Sequence, residues 1–449
     1  MGVGPEEGMA GVAETSLEVA IAAGGTAGHI NPALALAEEL SARGHHVRFF
    51  GQSAKLEGTL VPQAGFELEP IHVTGFDRSR PWTLFSALVR ERKASDRVGE
   101  VFAEKGTPNV AVGFGAYIEL PLMDRCRKQH VPYVLHEQNS VPGLANKTLA
   151  AHARCVCVSL PQARAAFEGH VHGDDALVLT GNPVRRSVLS ASREAGRVAF
   201  SIPEDATMLL VFGGSLGAQH VNEAVVRLKE RLLEDPRLYV VHSTGKELYN
   251  DVAASLDLTE AECERWRVVP YISNMGEALA AADLVVSRAG ASSIAEIAAL
   301  AVPSVLVPYP LATGDHQTTN AHYLVDAGAA DLFADDAIDG DAFAKDLLDL
   351  VGNAERRERM RACARGLGQD RAAAKLADVV ERAAAVADRL IIGVGINPAK
   401  RGLIAPEDRV GLVREATAHL SGVEVTLLAG ATMDEAARLG ATLIVKGVR

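Results

Sequence analysis

Disulfide chemistry has little material in this chain. Its 449 residues hold five cysteines (Cys126, Cys155, Cys157, Cys263 and Cys363), an odd number with no Cys-x-x-Cys spacing. That spacing argues against a disulfide-stapled scaffold or a metal ribbon, and reduced thiols in a cytosol are the expectation. Long apolar runs are missing too: none reaches the roughly 20 residues that a spanning helix needs. The N-terminal stretch MGVGPEEGMAGVAETS carries acids where a signal peptide would carry a basic region. Residues 1–16 are therefore expected to be a disordered leader, and any membrane contact to be peripheral. Positive charge is in deficit: the net charge of −12 argues against nonspecific nucleic-acid binding. Low-complexity segments are absent apart from alanine-rich helix, and no cluster of metal ligands is visible.

What is present is the composition of a globular protein, 48% hydrophobic and 23% charged, in a chain too long for one ordinary core. Strand-like runs alternate with helical stretches from residue 18 to about 350, the rhythm of parallel βαβ units. The turn-rich Gly181-Asn182-Pro183-Val184 predicts a boundary. One α/β domain is expected over 17–183 and a second over 184–350, followed by a helical stretch (351–375) and a separate unit (376–449). In that last unit Leu390–Ile396, Val423–Leu428 and Thr442–Val448 read as strands.

Twice an apolar strand runs into Gly-Gly-x-x-Gly and then a helix: Gly24-Gly25-Thr26-Ala27-Gly28 and Gly213-Gly214-Ser215-Leu216-Gly217. Such turns let the backbone approach a ligand closely, and the free amides of the following helix attract phosphate. A dinucleotide fingerprint would need Gly-x-Gly-x-x-Gly and an acid about 20 residues on. Both are missing, since the next strand ends Phe49-Phe50-Gly51-Gln52. His29 follows the first turn at a helix start, where a positive dipole end keeps imidazole neutral and suited to act as a base, or merely to cap. Strand Tyr133–Leu135 leads into His136-Glu137-Gln138-Asn139, which reads as a polar pocket wall. Arg288-Ala289-Gly290-Ala291-Ser292-Ser293 opens another helix as an anion site with an added positive charge. Glu296 in that helix suits a ribose diol, or is a plain dipole acid. Asp315-His316-Gln317-Thr318-Thr319-Asn320 adds a polar cluster beyond a further strand. In segment 76–93, Trp82, Phe85, Leu88 and Val89 share one helical face rimmed by cations. That pattern fits either a helix lying on anionic lipid or a core helix.

Six motifs in order resemble the MurG family of UDP-N-acetylglucosamine transferases, which convert lipid I to lipid II in peptidoglycan synthesis. They are GGTAGHINPALALA (24–37), VLHEQNSVPGLANK (134–147), TGNPVR (180–185), GGSLGAQHVN (213–222), SRAGASSIAEIA (287–298) and DHQTTNA (315–321). The resemblance implies a GT-B fold: two Rossmann-like parallel-sheet domains with an interdomain cleft. It implies that Ser215, the backbone at Ile272, Ala291, Ser292, Ser293, Glu296 and Gln317 hold UDP. Thr26, Ala27, Gly28, Asn139 and Arg185 would complete the donor site. His29 is the implied general-base candidate, with His136 and Glu137 as alternatives, and the Trp82–Val89 face the implied membrane-docking surface. No cofactor or metal is implied. The partners would be UDP-N-acetylglucosamine, lipid I, an anionic membrane surface on the cytoplasmic side and other cell-wall enzymes, and no nucleic acid. The sequence departs from the family at Ala27, Leu216, Thr318 and Gly115-Ala116-Tyr117. Related readings are a GT-B sugar-nucleotide enzyme with another acceptor, or an epimerase.

The tail from about 376 resembles the interior of phosphopantetheine adenylyltransferase, with Lys400, Lys446 and Arg449 at contact positions. It lacks that family's phosphate-binding segment and first strand, so a partial nucleotidyltransferase-like fragment without adenylyl transfer is the expectation.

Overall fold

The computed structural model describes residues 16–73, 83–171, 176–214, 217–384, 390–395, 405–417, 423–428, 432–439 and 441, with the side chains of 83–89 outside the description. The first sheet is built from β1 (Glu18–Ala22), β2 (His46–Gly51), β3 (Glu67–Pro70), β4 (Val110–Gly113), β5 (Tyr133–Glu137), β6 (Cys155–Val158) and β7 (Leu177–Leu179). The second contains β8 (Thr207–Phe212), β9 (Leu238–Ser243), β10 (Trp266–Val269), β11 (Leu284–Ser287), β12 (Ser304–Leu306) and β13 (Ala330–Leu332). Every pairing is parallel, in the orders β3-β2-β1-β4-β5-β6-β7 and β10-β9-β8-β11-β12-β13. Central strands such as β4 and β11 are buried along their whole length. They can be continuously apolar because helices cover both faces of the sheet.

Both sheets reverse strand order beside their first strand, between β1 and β4 and between β8 and β11. Ligand crevices form beyond the carboxyl ends of strands at such switch points. The two glycine turns and the loop after β11 therefore lie where a doubly wound sheet binds ligands.

Two strands, β3 and β13, have no continuous apolar run in the sequence, and both are sheet edges. Glu67, Glu69 and Pro70 make β3 read as a loop, yet Lys105 pairs with both glutamates, and proline is tolerated at an edge. In β13, Asp331 bonds Arg356 at 2.7 Å. Edge strands carry charge to discourage pairing with other chains, which hides them from a hydrophobic pattern.

Helix Ala372–Ala384 returns to the first sheet. Its Leu376, Ala377, Val379, Val380 and Ala383 pack with Val19, Ile21, Leu36 and Val110. Arg43 clamps it through Asp378 (2.7 Å), Glu381 (3.0 Å) and the Ala374 carbonyl (3.2 Å). The division between compact units accordingly falls after Ala384, past the boundary expected at 375, because this apolar face completes the first domain's core.

The unit beyond holds β14 (Leu390–Gly395) and β15 (Val423–Leu428), paired in parallel, with helix Pro406–Thr417 against them. The expected strand Thr442–Val448, and Lys400, Lys446 and Arg449, lie outside the described residues.

Candidate active site

The first glycine turn is held from below by a carboxylate. Glu57, fully buried, accepts from the Gly25 amide (3.2 Å) and the Gln52 amide (3.1 Å). A Cβ on Gly24 would lie 2.6 Å from its Oε1, and Gly25 takes φ +84°. Only glycine fits both positions. Thr26 then starts helix Ala27–Ala42 without a side-chain cap, which leaves the first amides of the helix available. His29, half-buried, sits in this first turn with its Nδ1 3.0 Å from Thr26 Oγ1. Burial, with His316 as a lesser cause, pushes its imidazole down to about 4, so it is neutral near pH 7. The ring's Nε2 edge faces Gly115, where a Cβ would approach it to 3.5 Å.

Helix Ala27–Ala42 contains Pro32, which has no N–H for the Gly28 carbonyl one turn back. That carbonyl instead accepts from Ser292 Oγ (3.2 Å), across the cleft in the second domain. Further polar bridges join the loop after β5 to helix His316–Val325. The Ser140 amide donates to Asn320 Oδ1 (3.0 Å), Ser140 Oγ donates to the His316 carbonyl (3.2 Å), and Asn320 Nδ2 donates to Asn139 Oδ1 (3.4 Å).

His136 and Glu137 are buried and already engaged. His136 has Nε2 3.0 Å from the Gly181 carbonyl and Nδ1 3.0 Å from Gln138 Nε2, and burial lowers it to about 4. Glu137 accepts from the Asn139 amide (3.0 Å), the Gly143 amide (3.0 Å) and Asn146 Nδ2 (2.9 Å), while burial raises its carboxyl. Both side chains hold the loop through these bonds. Glu119 acts likewise on the loop after β4. Its Oε2 accepts from the Gly115 amide at 2.6 Å, its Oε1 has no partner, and burial pushes it up to about 8. Glu57 and Glu119 were missed because a buried acid bonded to a distant backbone amide has no local signature. The one available signal was an acid set among apolar residues, in Tyr117-Ile118-Glu119-Leu120.

In the second domain, helix Ala291–Ala299 opens at Gly290 with no side-chain cap. Ala291, Ser292 and Ser293 form its first turn at the cleft. One turn on, Glu296 is buried, and its carboxyl makes no hydrogen bond among the described residues. Burial pushes it up to about 7, against the opposing pull of Arg185. Arg185 Nε also holds Glu38 at 2.9 Å, so its charge is shared. Gln317 Oε1 accepts from the amides of Ala289 (3.2 Å) and Tyr309 (2.9 Å), leaving its amino group without a bond among the described residues. Ile272 follows β10 with its side chain in the core. Arg288 departs from expectation: its Nη1 is spent on the Val307 and Pro308 carbonyls and Asp335, so it is no free anion anchor.

Ser215 and Leu216 lie outside the described residues, as does Trp82. Phe85, Leu88 and Val89 fall in helix Thr83–Lys105, with their side chains outside the description. Among the described residues no helix is long and apolar enough to cross a membrane, and no group of three or more His, Cys, Asp or Glu is placed to hold a metal.

Two parallel-sheet domains joined across a cleft of neutral imidazole, uncapped helix ends and a buried carboxyl define a GT-B glycosyltransferase. The Glycosyltransferase family 28 N-terminal domain matches residues 19–158, and the family's C-terminal domain matches residues 208–382. A relative from Salinibacter ruber is 40% identical over 377 residues, 82% of this chain and 96% of its own length. One from Halothermothrix orenii is 34% identical over 368 residues, 81% of this chain and 98% of its own. Both carry the name UDP-N-acetylglucosamine--N-acetylmuramyl-(pentapeptide) pyrophosphoryl-undecaprenol N-acetylglucosamine transferase. The crystal structure of Acinetobacter baumannii MurG superposes with TM-score 0.61 at 27% identity, covering 82% of this chain and 99% of that one. A UDP-GlcNAc 2-epimerase from Neisseria meningitidis shares the fold alone, at 11% identity and TM-score 0.58 over 82% of this chain and all of its own. The chain belongs to the MurG family. Both domain matches end by residue 382.

Proposed function

We infer that the chain moves N-acetylglucosamine from UDP-N-acetylglucosamine to the muramyl sugar of undecaprenyl-diphosphate-linked lipid I, with inversion, giving lipid II. The observation that carries the donor assignment is Glu296, a buried carboxyl with no donor among the described residues, one turn inside the uncapped helix Ala291–Ala299. Two vicinal ribose hydroxyls supply the donors it lacks. The free amides at Ala291–Ser293 and the turn carrying Ser215 face the diphosphate. The Gln317 amino group and the backbone at Ile272 complete the donor contacts, with Asn139 and Arg185 closing from the other side.

His29 is the base. With Nδ1–H donating to Thr26 Oγ1, Nε2 is left to accept the proton of the acceptor hydroxyl. The hydroxyl oxygen attacks the anomeric carbon from the face opposite the diphosphate. The carbon–oxygen bond to UDP breaks, and its electron pair leaves with the β-phosphate oxygen. Helix-end amides offset the charge that develops there, each dipole contributing about 0.3–2 kcal/mol. Helix Thr83–Lys105 begins within the cation-rich segment 76–93, and this supports peripheral docking on the anionic cytoplasmic face of the membrane.

Radiolabelled transfer from UDP-N-acetylglucosamine to lipid I tests the assignment. His29→Ala should lower kcat by about 10²–10⁴-fold with little change in the donor KM. Glu296→Ala should act mainly on the donor KM. Unchanged transfer in both variants would sink the reading, and acceptor-independent formation of the 2-epimer would replace it.

A further inference from the structure

At the opposite end of the second sheet, the amino ends of β8 and β11, lies a cavity of about 400 Å³. It is lined by Arg193, Asp283, Ala354, Arg357, Glu358 and Arg361. Arg197 joins them from behind, 2.8 Å from Asp283 Oδ2. Four guanidinium groups thus gather around one half-buried carboxylate and one exposed one.

The carboxylates are already committed. Asp283 Oδ1 receives Arg193 at 2.6 Å, and its Oδ2 receives both Arg197 and the Met208 amide at 2.8 Å. Glu358 receives Arg365 at 2.9 Å and stands 3.7 Å from Arg361. Arg357 turns one nitrogen onto the Leu350 and Val351 carbonyls and another to Thr207 Oγ1 (3.4 Å). Carbonyls and hydroxyls satisfy its donors without neutralising its charge. Arg361, with a side chain only 23% exposed, has no other carboxylate within ion-pair distance among the described residues. Burial holds Arg197, Arg357 and Arg361 below the usual arginine range, and neighbouring guanidinium groups add to the effect. Cations that outnumber the carboxylates beside them in a recess are costly unless a further anion joins them. Planar guanidinium forks match phosphate oxygens two at a time.

We propose that this cavity is a second anion site, taking a doubly charged phosphate group between Arg193, Arg357 and Arg361. It is separate from the donor cleft, which lies beyond the carboxyl ends of the same strands. The phosphate is either soluble or carried by a lipid headgroup; the chemistry is shared, and the test tells the two sources apart.

The full chain, with its donor cleft saturated by UDP, is titrated calorimetrically with inorganic diphosphate at constant ionic strength. Flotation with vesicles containing phosphatidic acid, whose phosphomonoester can carry the second charge, forms the second arm. Arg361→Gln and Arg193→Gln are the test variants. Arg359→Gln is the control, since it removes the same charge from an exposed position on the same helix. Diphosphate binding weakened at least tenfold in both test variants, and not in Arg359→Gln, establishes a site for a soluble anion. Vesicle binding lost in the test variants alone, with no free diphosphate bound, assigns the phosphate to a headgroup. The site is overturned if neither probe distinguishes Arg361→Gln from wild type, or if Arg359→Gln weakens binding equally. Transfer to lipid I at saturating substrates should stay within twofold of wild type in Arg361→Gln.

Discussion

The two domains share a strand order and a glycine turn, but they treat their loop amides in opposite ways. In the first, three buried glutamates reach up to loop amides: Glu57 to Gly25, Glu119 to Gly115 and Glu137 to Gly143. In the second, among the described residues, no carboxylate accepts from a loop amide at the carboxyl ends of β8, β11 or β12. Neutral Gln317 holds two amides there, and helix Ala291–Ala299 begins uncapped. An amide that already serves an internal acid is closed to phosphate, and an open one invites it. The same fold thereby presents a filled, rigid floor to one substrate and an anion cradle to the other.

The largest effect should come from emptying the filled floor. Glu57→Ala empties a fully buried position and removes the acceptor of the Gly25 and Gln52 amides, at a cost of roughly 2–4 kcal/mol. Thermal unfolding should show a Tm lower by several degrees, with Glu57→Gln in between. Gln317→Ala, the matching deletion in the second domain, should cost less than half as much, because Gln317 is only half-buried and water can replace it where nothing can replace the fully buried Glu57. Equal melting of the two alanine variants would erase the contrast between the domains.

A smaller effect is expected in donor affinity as a function of pH. Burial holds the Glu296 carboxyl up to about 7, and only its ionised form accepts from both ribose hydroxyls. Protonation below that value competes with the donor. Affinity should therefore weaken about tenfold as pH falls from 8 to 6. UDP-N-acetylglucosamine is the probe, since its diphosphate diester does not titrate in this window. Calorimetry on Glu296→Gln should give weaker binding with a flat profile. A slope that survives the substitution would move the titrating group elsewhere.

Where chemistry demands a local pattern, the sequence was legible. The Gly24–Gly28 turn, His136–Asn139 and Ala291–Glu296 each combine strand end, small residues and polar groups within a few positions, and all lie at carboxyl ends of strands. Pairings over long separations were not legible. Arg288 looked like a phosphate anchor until the fold brought Asp335 to it, and Glu57 reads as an ordinary helix acid until Gly25 is placed above it. His136 and Glu137 mark their loop correctly, but only the hydrogen bonds show that they brace it. The edge strands β3 and β13 were hidden by the charges that protect them.

The smallest effect concerns the point where the two domains touch at the glycine turn. Pro32 leaves the Gly28 carbonyl without its helical donor, and Ser292 Oγ occupies it at 3.2 Å. Both Gly28 and Ser292 are only half-buried, so water can replace the hydroxyl once it is removed. Ser292→Ala should then cost about 1 kcal/mol, read as roughly a fivefold fall in kcat/KM. The backbone amide of residue 292, the part available to phosphate, is retained in this variant. A hundredfold loss would mean that the hydroxyl leaves Gly28 to bind donor directly. The open cradle would then extend to side chains, and the clasp would be a feature of the empty cleft alone.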